Sequence, residues 1–200
     1  VTALTLPRAG GFLSGLKTNI FVMPPDQFVP GSMTPALREL LNLDFPDRLA
    51  AKREEGTRVK LVEDAKQSKL IDMFAPNFYW LGDGESPIYD KGQSESLPEL
   101  AKAAGEHPAE TWLRYMLESD GEALFHVRFF NHDYAAVEEF LQNDWVLPSL
   151  GHAGANLTQI IDAGWPTFML SHWHREKGTF SLAETIGLLT SAQARILGFS

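Results

Sequence analysis

The stretch from residue 123 to residue 150 constrains the fold more than any other part of the chain. Residues 123–130 alternate with a period of two, which is typical of a β-strand. Asp133 then stands where a helix N-cap is expected, and the apolar residues after it recur at helical spacing. Residues 145–150 form a second short apolar run. A strand, a capped helix and a second strand in this order predict neighbouring parallel strands in an α/β fold with a right-handed crossover.

Residues 34–119 are predicted to form a mainly helical insertion outside this sheet. Prolines suited to the first turn of a helix occur at three places: Pro35, Pro98 and Pro108. Gly105 is placed to end the second of these helices. The charged stretch 47–73 indicates one or two surface helices broken near Gly56, and residues 78–81 indicate a short strand.

The charge balance and the missing cysteines exclude several functions. The chain has 17 Lys and Arg against 26 Asp and Glu, a net charge of −9, which argues against binding to nucleic acid or to an anionic membrane. With 0 Cys, disulfides, thiolate nucleophiles and cysteine-zinc sites are excluded. No apolar run approaches the roughly 20 residues of a membrane-spanning helix, and the start lacks a signal-peptide pattern. We therefore expect a cytoplasmic protein.

The second strand ends in a turn that is a candidate for chemistry. Residues 151–156 read Gly-His-Ala-Gly-Ala-Asn, and such small residues let a backbone lie close to a ligand. In parallel α/β folds the functional residues lie at the carboxyl ends of the strands, so His152 occupies a catalytic position. The alternative is a tight turn whose histidine is only solvated or hydrogen-bonded.

A set of spaced motifs follows this turn. They are Asp162, Pro166-Thr167, His172-Trp173, Arg175-Glu176 and, in the final helix, Thr190, Ala194 and Gly198. Together with 149–156, they resemble the C-terminal part of the N-acyl-D-amino-acid deacylase family, also called amidohydrolase family 3. Its members read G-L-S-D-A-G-A-H after the last barrel strand, then D-x-x-x-P-T, H-W and T-x-x-x-A-x-x-x-G. The segments LPRAGGFLSGL and ALFHVRFFNHDYAAVEEFL are also similar to family segments.

The resemblance implies a fold and an activity. The fold would be the C-terminal part of a TIM-like (β/α)8 barrel. Residues 1–33 would be a barrel strand and loop, 34–119 the helical insertion, and 120–200 the last barrel strands and helices. The activity would be zinc-dependent hydrolysis of the C–N bond in N-acyl amino acids or similar small amides.

The resemblance also implies that the chain is incomplete. Both ends look cut from a longer protein, and a full barrel takes about 250 residues. We therefore expect most zinc ligands outside this chain and an inactive isolated chain. Because two or three strands leave apolar faces uncovered, we expect the remainder of the barrel, another chain or a second copy as a partner.

Two residues depart from the family pattern. His152 stands in place of the family's metal-binding, proton-shuttling Asp, and Asn156 in place of its next His. A neutral imidazole can ligate zinc or act as a base, but it brings no negative charge. His152 is therefore the predicted catalytic and metal-ligating residue; the predicted substrate contacts are Gly154, Asn156, His172 and Arg175. The alternative is a non-catalytic relative that binds a ligand or a partner.

Three further features have two readings each. His172 and His174 have the spacing of a metal pair on one strand face, or else His172 is a structural or substrate-proximal residue. Arg175 is a partner for a substrate carboxylate or a solvated side chain. His126 and Arg128, on one strand face, line a barrel lumen or form a paired, packed layer.

Overall fold

The computed structural model describes residues 1–18, 35–67, 69–82, 86–149 and 162–199. Over these residues the fold is α/β. The strands are β1 Ala3–Thr5, β2 Gly10–Ser14, β3 Phe78–Trp80, β4 Phe125–Phe130 and β5 Val146–Pro148. The helices are α1 Pro35–Leu40, α2 Phe45–Arg53, α3 Glu55–Lys66, α4 Lys69–Phe74, α5 Leu97–Ala104, α6 Pro108–Glu118, α7 Tyr134–Leu141, α8 Trp165–Phe168, α9 Leu182–Leu189 and α10 Ser191–Ile196. A π-helix, Met169–Glu176, continues α8, and short 3-10 turns occupy Ala75–Asn77 and Gln93–Glu95.

The strands form two small sheets. In one, β1 and β5 pair in parallel; in the other, the order is β2-β4-β3, with β3 antiparallel to β4. The prediction that β4 and β5 are neighbours is therefore wrong. As the middle strand of its sheet, β4 has both edges occupied, and β5 pairs instead with the strand at the start of the chain. The strands described here do not close into a barrel.

The chain divides into two compact units. Unit 1 comprises residues 1–11 and 129–200, and unit 2 comprises residues 12–128, so the boundaries fall within β2 and β4. Between 35 and 118 the described residues are mostly helical; the assignment of 34–119 as an insertion stays a prediction. Among the helices of the described residues, none is both long and apolar enough to cross a membrane.

Several helix boundaries lie where local signals predicted them. Pro35 and Pro108 begin α1 and α6, and Pro98 is the second residue of α5. Gly105 ends α5 with a φ of 70°, in the left-handed region that glycine tolerates best. The break between α2 and α3 lies at Glu54, two residues before the predicted Gly56.

In unit 2, the polar side chains of β4, His126 and Arg128, are buried among neighbouring residues. Arg128 is 2% exposed and donates hydrogen bonds to the carbonyl oxygens of Lys91 (2.8 Å) and Tyr89 (2.9 Å). Its guanidinium lies 3.7 Å from the ring centroid of Tyr79. Burial raises the pKa of the Tyr79 phenol, and the charge of Arg128 acts in the opposite direction. His126 is fully buried, with its ring 6.3 Å from that of Tyr89. These contacts favour the packed layer over the lumen lining.

A carboxylate in unit 2 makes stability depend on pH. Glu106 accepts hydrogen bonds from Arg114 at 2.9–3.1 Å and from the hydroxyl of Thr111 at 2.7 Å. The bonds from Arg114 lower the pKa of Glu106. The folded pKa is depressed, so this stabilisation is present above the ordinary pKa of about 4.3 and is lost as pH falls through the folded value.

We expect Glu106→Gln to lower the free energy of unfolding by about 0.5–1 kcal/mol at pH 7. The difference from wild type should be smaller at an acidic pH below the ordinary pKa, where the lowered pKa of Glu106 is approached. Urea denaturation at both pH values, followed by circular dichroism, measures this. Glu118→Gln is the matched control, because that carboxylate meets Arg114 at 3.4 Å with 63% of its side chain exposed. A destabilisation equal at both pH values would contradict the assignment.

Candidate functional site

The carboxyl ends of β1 and β5 meet at one edge of their sheet. Ala3 is in register with Val146 and Thr5 with Pro148. The pairing continues past the strands, because the backbone N–H of Ser149 donates to the carbonyl oxygen of Thr5 at 2.8 Å. In open parallel sheets, ligands bind at this edge. The residues just beyond β1 and β5 are therefore the candidate site of unit 1.

Only part of the predicted site falls within the described residues. His152, Gly154 and Asn156 lie outside them, so their roles remain predictions. In the chain they follow shortly after Ser149 at the sheet edge. His172 and Arg175 are described and belong to the π-helix.

His172 and His174 both lie in the π-helix, which determines how they are oriented relative to each other. The N–H of Lys177 donates to the carbonyl oxygen of His172 at 2.8 Å, a span of five residues that is the mark of a π-helix. Residues two apart on a helix point in different directions, so the reading of His172 and His174 as a metal pair on one strand face does not hold. His172 is buried, whereas His174 is half-buried with its Nδ1 3.0 Å from the carbonyl oxygen of Phe180.

Three aromatic rings surround the His172 imidazole. It stacks on Phe168, with ring centroids 4.6 Å apart and planes 19° apart. Trp173 meets it edge-on at a centroid distance of 4.8 Å, and the tilted ring of Tyr134 lies 5.4 Å away. Its Nδ1 lies 3.2 Å from a carboxylate oxygen of Glu176. We call these side chains together the His172 cage. They hold a buried histidine against a carboxylate, an arrangement that recurs where proteins use an imidazole for chemistry.

The His172 cage is attached to the residues that follow β1. The indole Nε1 of Trp173 donates to the carbonyl oxygen of Pro7 at 2.6 Å. The backbone N–H of Ala9 donates to the hydroxyl of Tyr134 at 3.4 Å. The guanidinium of Arg8 lies 5.5 Å from the ring centroid of Phe168. The cage therefore contacts the residues that follow β1 at the candidate edge of the sheet.

Sequence reasoning missed Arg8. This arginine is 3% exposed, although burying a guanidinium is costly. The guanidinium of Arg8 lies beside the backbone of Gly164, because its NH1 is 3.7 Å from the position that a Cβ on this glycine would take. Asp162, two residues before Gly164, is also buried, with 2% exposed. The sequence did contain a signal for Arg8, because this residue follows β1 just as His152 follows β5. The rule that functional residues lie after the carboxyl ends of parallel strands would have identified Arg8 if it had been applied to β1 as well.

Arg175 has a different setting from His172. Its side chain is 73% exposed and its NH2 lies 3.6 Å from a carboxylate oxygen of Glu176. It belongs to the last turn of the π-helix. Glu176 therefore interacts with both the buried His172 and the exposed Arg175. The reading of Arg175 as a partner for a substrate carboxylate stays a prediction.

The residues after β4 hold that strand end beside β1. Asn131 has a φ of 52° and donates from Nδ2 to the carbonyl oxygen of Leu6 at 2.6 Å and to the hydroxyl oxygen of Thr5 at 3.2 Å. Asp133 caps α7 by accepting from the N–H groups of Ala135 and Ala136, as predicted. His132, between them, is exposed.

We expect Asn131→Ala to lower the free energy of unfolding by about 2–3 kcal/mol, because alanine loses the hydrogen bonds and tolerates a positive φ poorly. Asn131→Gly keeps the backbone conformation and loses only the hydrogen bonds, so we expect about 1–2 kcal/mol. Urea denaturation of the two variants measures both effects. Equal stability of the alanine and glycine variants would contradict the backbone part of the argument.

A zinc site needs at least three ligand side chains whose donor atoms lie close together. Within either unit, no three described His, Asp or Glu side chains bring ligand atoms within 4.8 Å of one another. The resemblance implies most zinc ligands outside this chain, and His152, the ligand that it implies here, lies outside the described residues.

Comparison of the chain with protein-family models, with curated proteins and with solved structures gave no significant match. The resemblance to the deacylase family therefore depends on the motifs in the sequence alone.

Proposed function

We propose that the chain is the C-terminal half of a cytoplasmic, metal-dependent amidohydrolase with a (β/α)8 barrel. Its substrates would be N-acyl amino acids or similar small amides. The observation that carries the proposal is the order and spacing of the motifs from 149 to 198. The parallel pairing of β1 with β5 supports it, because the carboxyl end of β5 directly precedes the segment that contains His152. The remainder of the barrel is the expected partner.

The chain's own residues suggest a division of roles. His152 takes the proton of the attacking water, for which an imidazole with an ordinary pKa of about 6.5 is suited. Gly154 gives the substrate room beside the backbone, and Asn156 offers an amide for hydrogen bonding. Arg175 is suited to a substrate carboxylate. Zinc, which the resemblance implies, would polarise the amide carbonyl when bound.

A second candidate function is a non-catalytic relative that binds a ligand or a partner. Two departures favour it: His152 and Asn156 replace the acid and the histidine of the family motif. The sequence upstream of this chain discriminates between the candidates. A His-x-His strand and two further histidines would favour the enzyme.

The proposal is tested on the intact protein. We would incubate it with N-acetyl D- and L-amino acids and measure the release of free amine. Three preparations are compared: protein as purified, protein treated with a chelator, and chelated protein with zinc restored. Hydrolysis that is lost on chelation and recovered with zinc supports the enzyme. Failure of zinc-loaded, folded protein to hydrolyse any member of the panel, together with a shift of its melting temperature by the same compounds, would favour the non-catalytic relative.

A further inference from the structure

Unit 2 contains a cavity of about 490 Å³ beside the paired strands β3 and β4 and the last turn of α6. Cavities that bind small molecules commonly have volumes of about 300–1,000 Å³. Its walls are mainly apolar and aromatic and include Trp80, Pro87, Tyr115 and Leu124. The N–H of Leu81 donates to the carbonyl oxygen of Leu124 at 3.0 Å, which extends the pairing of the two strands along the wall. The cavity therefore suits a small organic molecule with an apolar body.

The ionisable groups that line this cavity are acidic. Glu118 and Glu122 belong to the lining, and its described residues include no Lys, Arg or His. The two side chains are 63% and 68% exposed, so both carboxylates are accessible from solvent. Glu118 is also the last residue of α6, and the C-terminal end of a helix carries a partial negative charge. These charges favour a cation in the cavity over an anion.

Two neighbouring cations do not cancel this negative charge. The guanidinium of Arg114 donates to Glu106 at 2.9–3.1 Å and reaches Glu118 only at 3.4 Å. Lys17 pairs with one carboxylate oxygen of Glu122. Because a carboxylate accepts hydrogen bonds at both oxygens, these pairs leave room for a further donor on each. Among these five side chains, three carboxylates face two cations, which leaves one excess negative charge.

The aromatic part of the wall is of a kind that attracts cations. The rings of Trp80 and Tyr115 meet edge to face with centroids 4.7 Å apart. The Nζ of Lys91 lies 4.8 Å from the centroid of Trp80, and the guanidinium carbon of Arg114 lies 5.1 Å from that of Tyr115. Aromatic rings attract cations through their quadrupole, and Trp does so most strongly. The wall therefore offers an ammonium group an interaction that a neutral or anionic group does not receive.

We propose that this cavity binds a small organic cation, an ammonium group on an apolar body. The ammonium group lies at Glu118 and Glu122, and the apolar body packs against Trp80 and Tyr115. All of these residues belong to unit 2, whereas the candidate site for hydrolysis belongs to unit 1. The proposal therefore goes beyond amide hydrolysis and does not depend on it.

Three compounds of nearly the same shape and different charge test the proposal. They are 2-phenylethylammonium, 2-phenylethanol and phenylacetate, each titrated into the intact protein at pH 7 up to millimolar concentration and followed by calorimetry. A primary amine is protonated at this pH, as the side chain of Lys is. We expect the cation to bind about five- to tenfold more tightly than the alcohol, and the anion to bind more weakly than the alcohol. No measurable binding of the cation, or binding no tighter than that of the alcohol, would overturn the proposal.

Variants test whether this preference arises in the cavity. Glu118→Gln with Glu122→Gln keeps the side-chain size and removes both charges, so the preference for the cation over the alcohol should fall by about threefold or more. Glu39→Gln with Glu54→Gln, at exposed positions outside the lining, removes the same charge and should keep the wild-type preference. Trp80→Leu should lower the preference by about two- to fivefold through loss of the ring. An unchanged preference in the Glu118 and Glu122 variant, or an equal loss in the control pair, would place the binding elsewhere and overturn the assignment.

Discussion

Trp173→Ala should lower the free energy of unfolding by about 3–5 kcal/mol, the largest effect on stability that we expect in this chain. The side chain is 0% exposed. Its ring lies 4.8 Å from that of His172, 6.0 Å from Tyr134 and 6.5 Å from Phe168, so its removal leaves a cavity at the centre of the cage. Its loss also removes the hydrogen bond to Pro7.

Two further variants separate these contributions. Trp173→Phe keeps most of the packing and loses the N–H donor, so we expect a cost of about 1–2 kcal/mol. Trp145→Ala, in the same unit, is the matched control, because that side chain is 50% exposed and contacts Phe140 at a centroid distance of 5.9 Å. Its replacement should cost less than about 1 kcal/mol. Urea denaturation followed by far-ultraviolet circular dichroism gives all three values, and equal costs for Trp173→Ala and Trp145→Ala would refute the central role of Trp173.

Features determined by neighbouring residues could be predicted from the sequence. The capping box of Ser181 and Glu184 forms as expected, with hydrogen bonds of 2.8 and 3.2 Å, because both partners lie within one turn of α9. Asp133 caps α7 for the same reason. These signals require no knowledge of the remote chain, since each group satisfies a backbone N–H three residues or fewer away.

Strand pairing could not be predicted in the same way. Apolar alternation identifies β4 as a strand, but it contains no information about which strand lies beside it. The partner of β5 is β1, at the opposite end of the chain. Such pairing depends on burial and on the closure of long loops, which local patterns do not report.

The candidate site was predicted only in part, also for a physical reason. His172 was identified from a motif, yet its surroundings depend on the contact with Glu176 and on a π-helix, a form that is rare and mostly a short bulge in an α-helix. Tyr134 of the cage and Arg8 beside it belong to distant segments, and they come together only when the residues after β1 pack against α7. The sequence therefore predicts the residue types of the site better than their arrangement.

His152→Ala in the intact protein is expected to reduce the rate of amide hydrolysis by about 10²–10⁴-fold, the range typical for loss of a general base. The reason is positional: in the sequence, the residue stands shortly after β5, where the resembled family keeps its proton-shuttling Asp.

The controls for this prediction use the same assay of amine release. His132→Ala removes an exposed histidine of unit 1 and should leave the rate unchanged. His152→Asp restores the residue of the family motif, and we expect it to keep or raise the rate, because a carboxylate can both accept the proton and supply the negative charge that imidazole lacks. If His152 is the general base, the rate should fall in His152→Ala and be kept or raised in His152→Asp. If His152 is only a structural residue of a tight turn, the two substitutions should change stability but not the rate. If both variants hydrolyse the substrate at the wild-type rate, His152 is not the base, and the non-catalytic reading of its turn becomes the better explanation of the two departures from the motif.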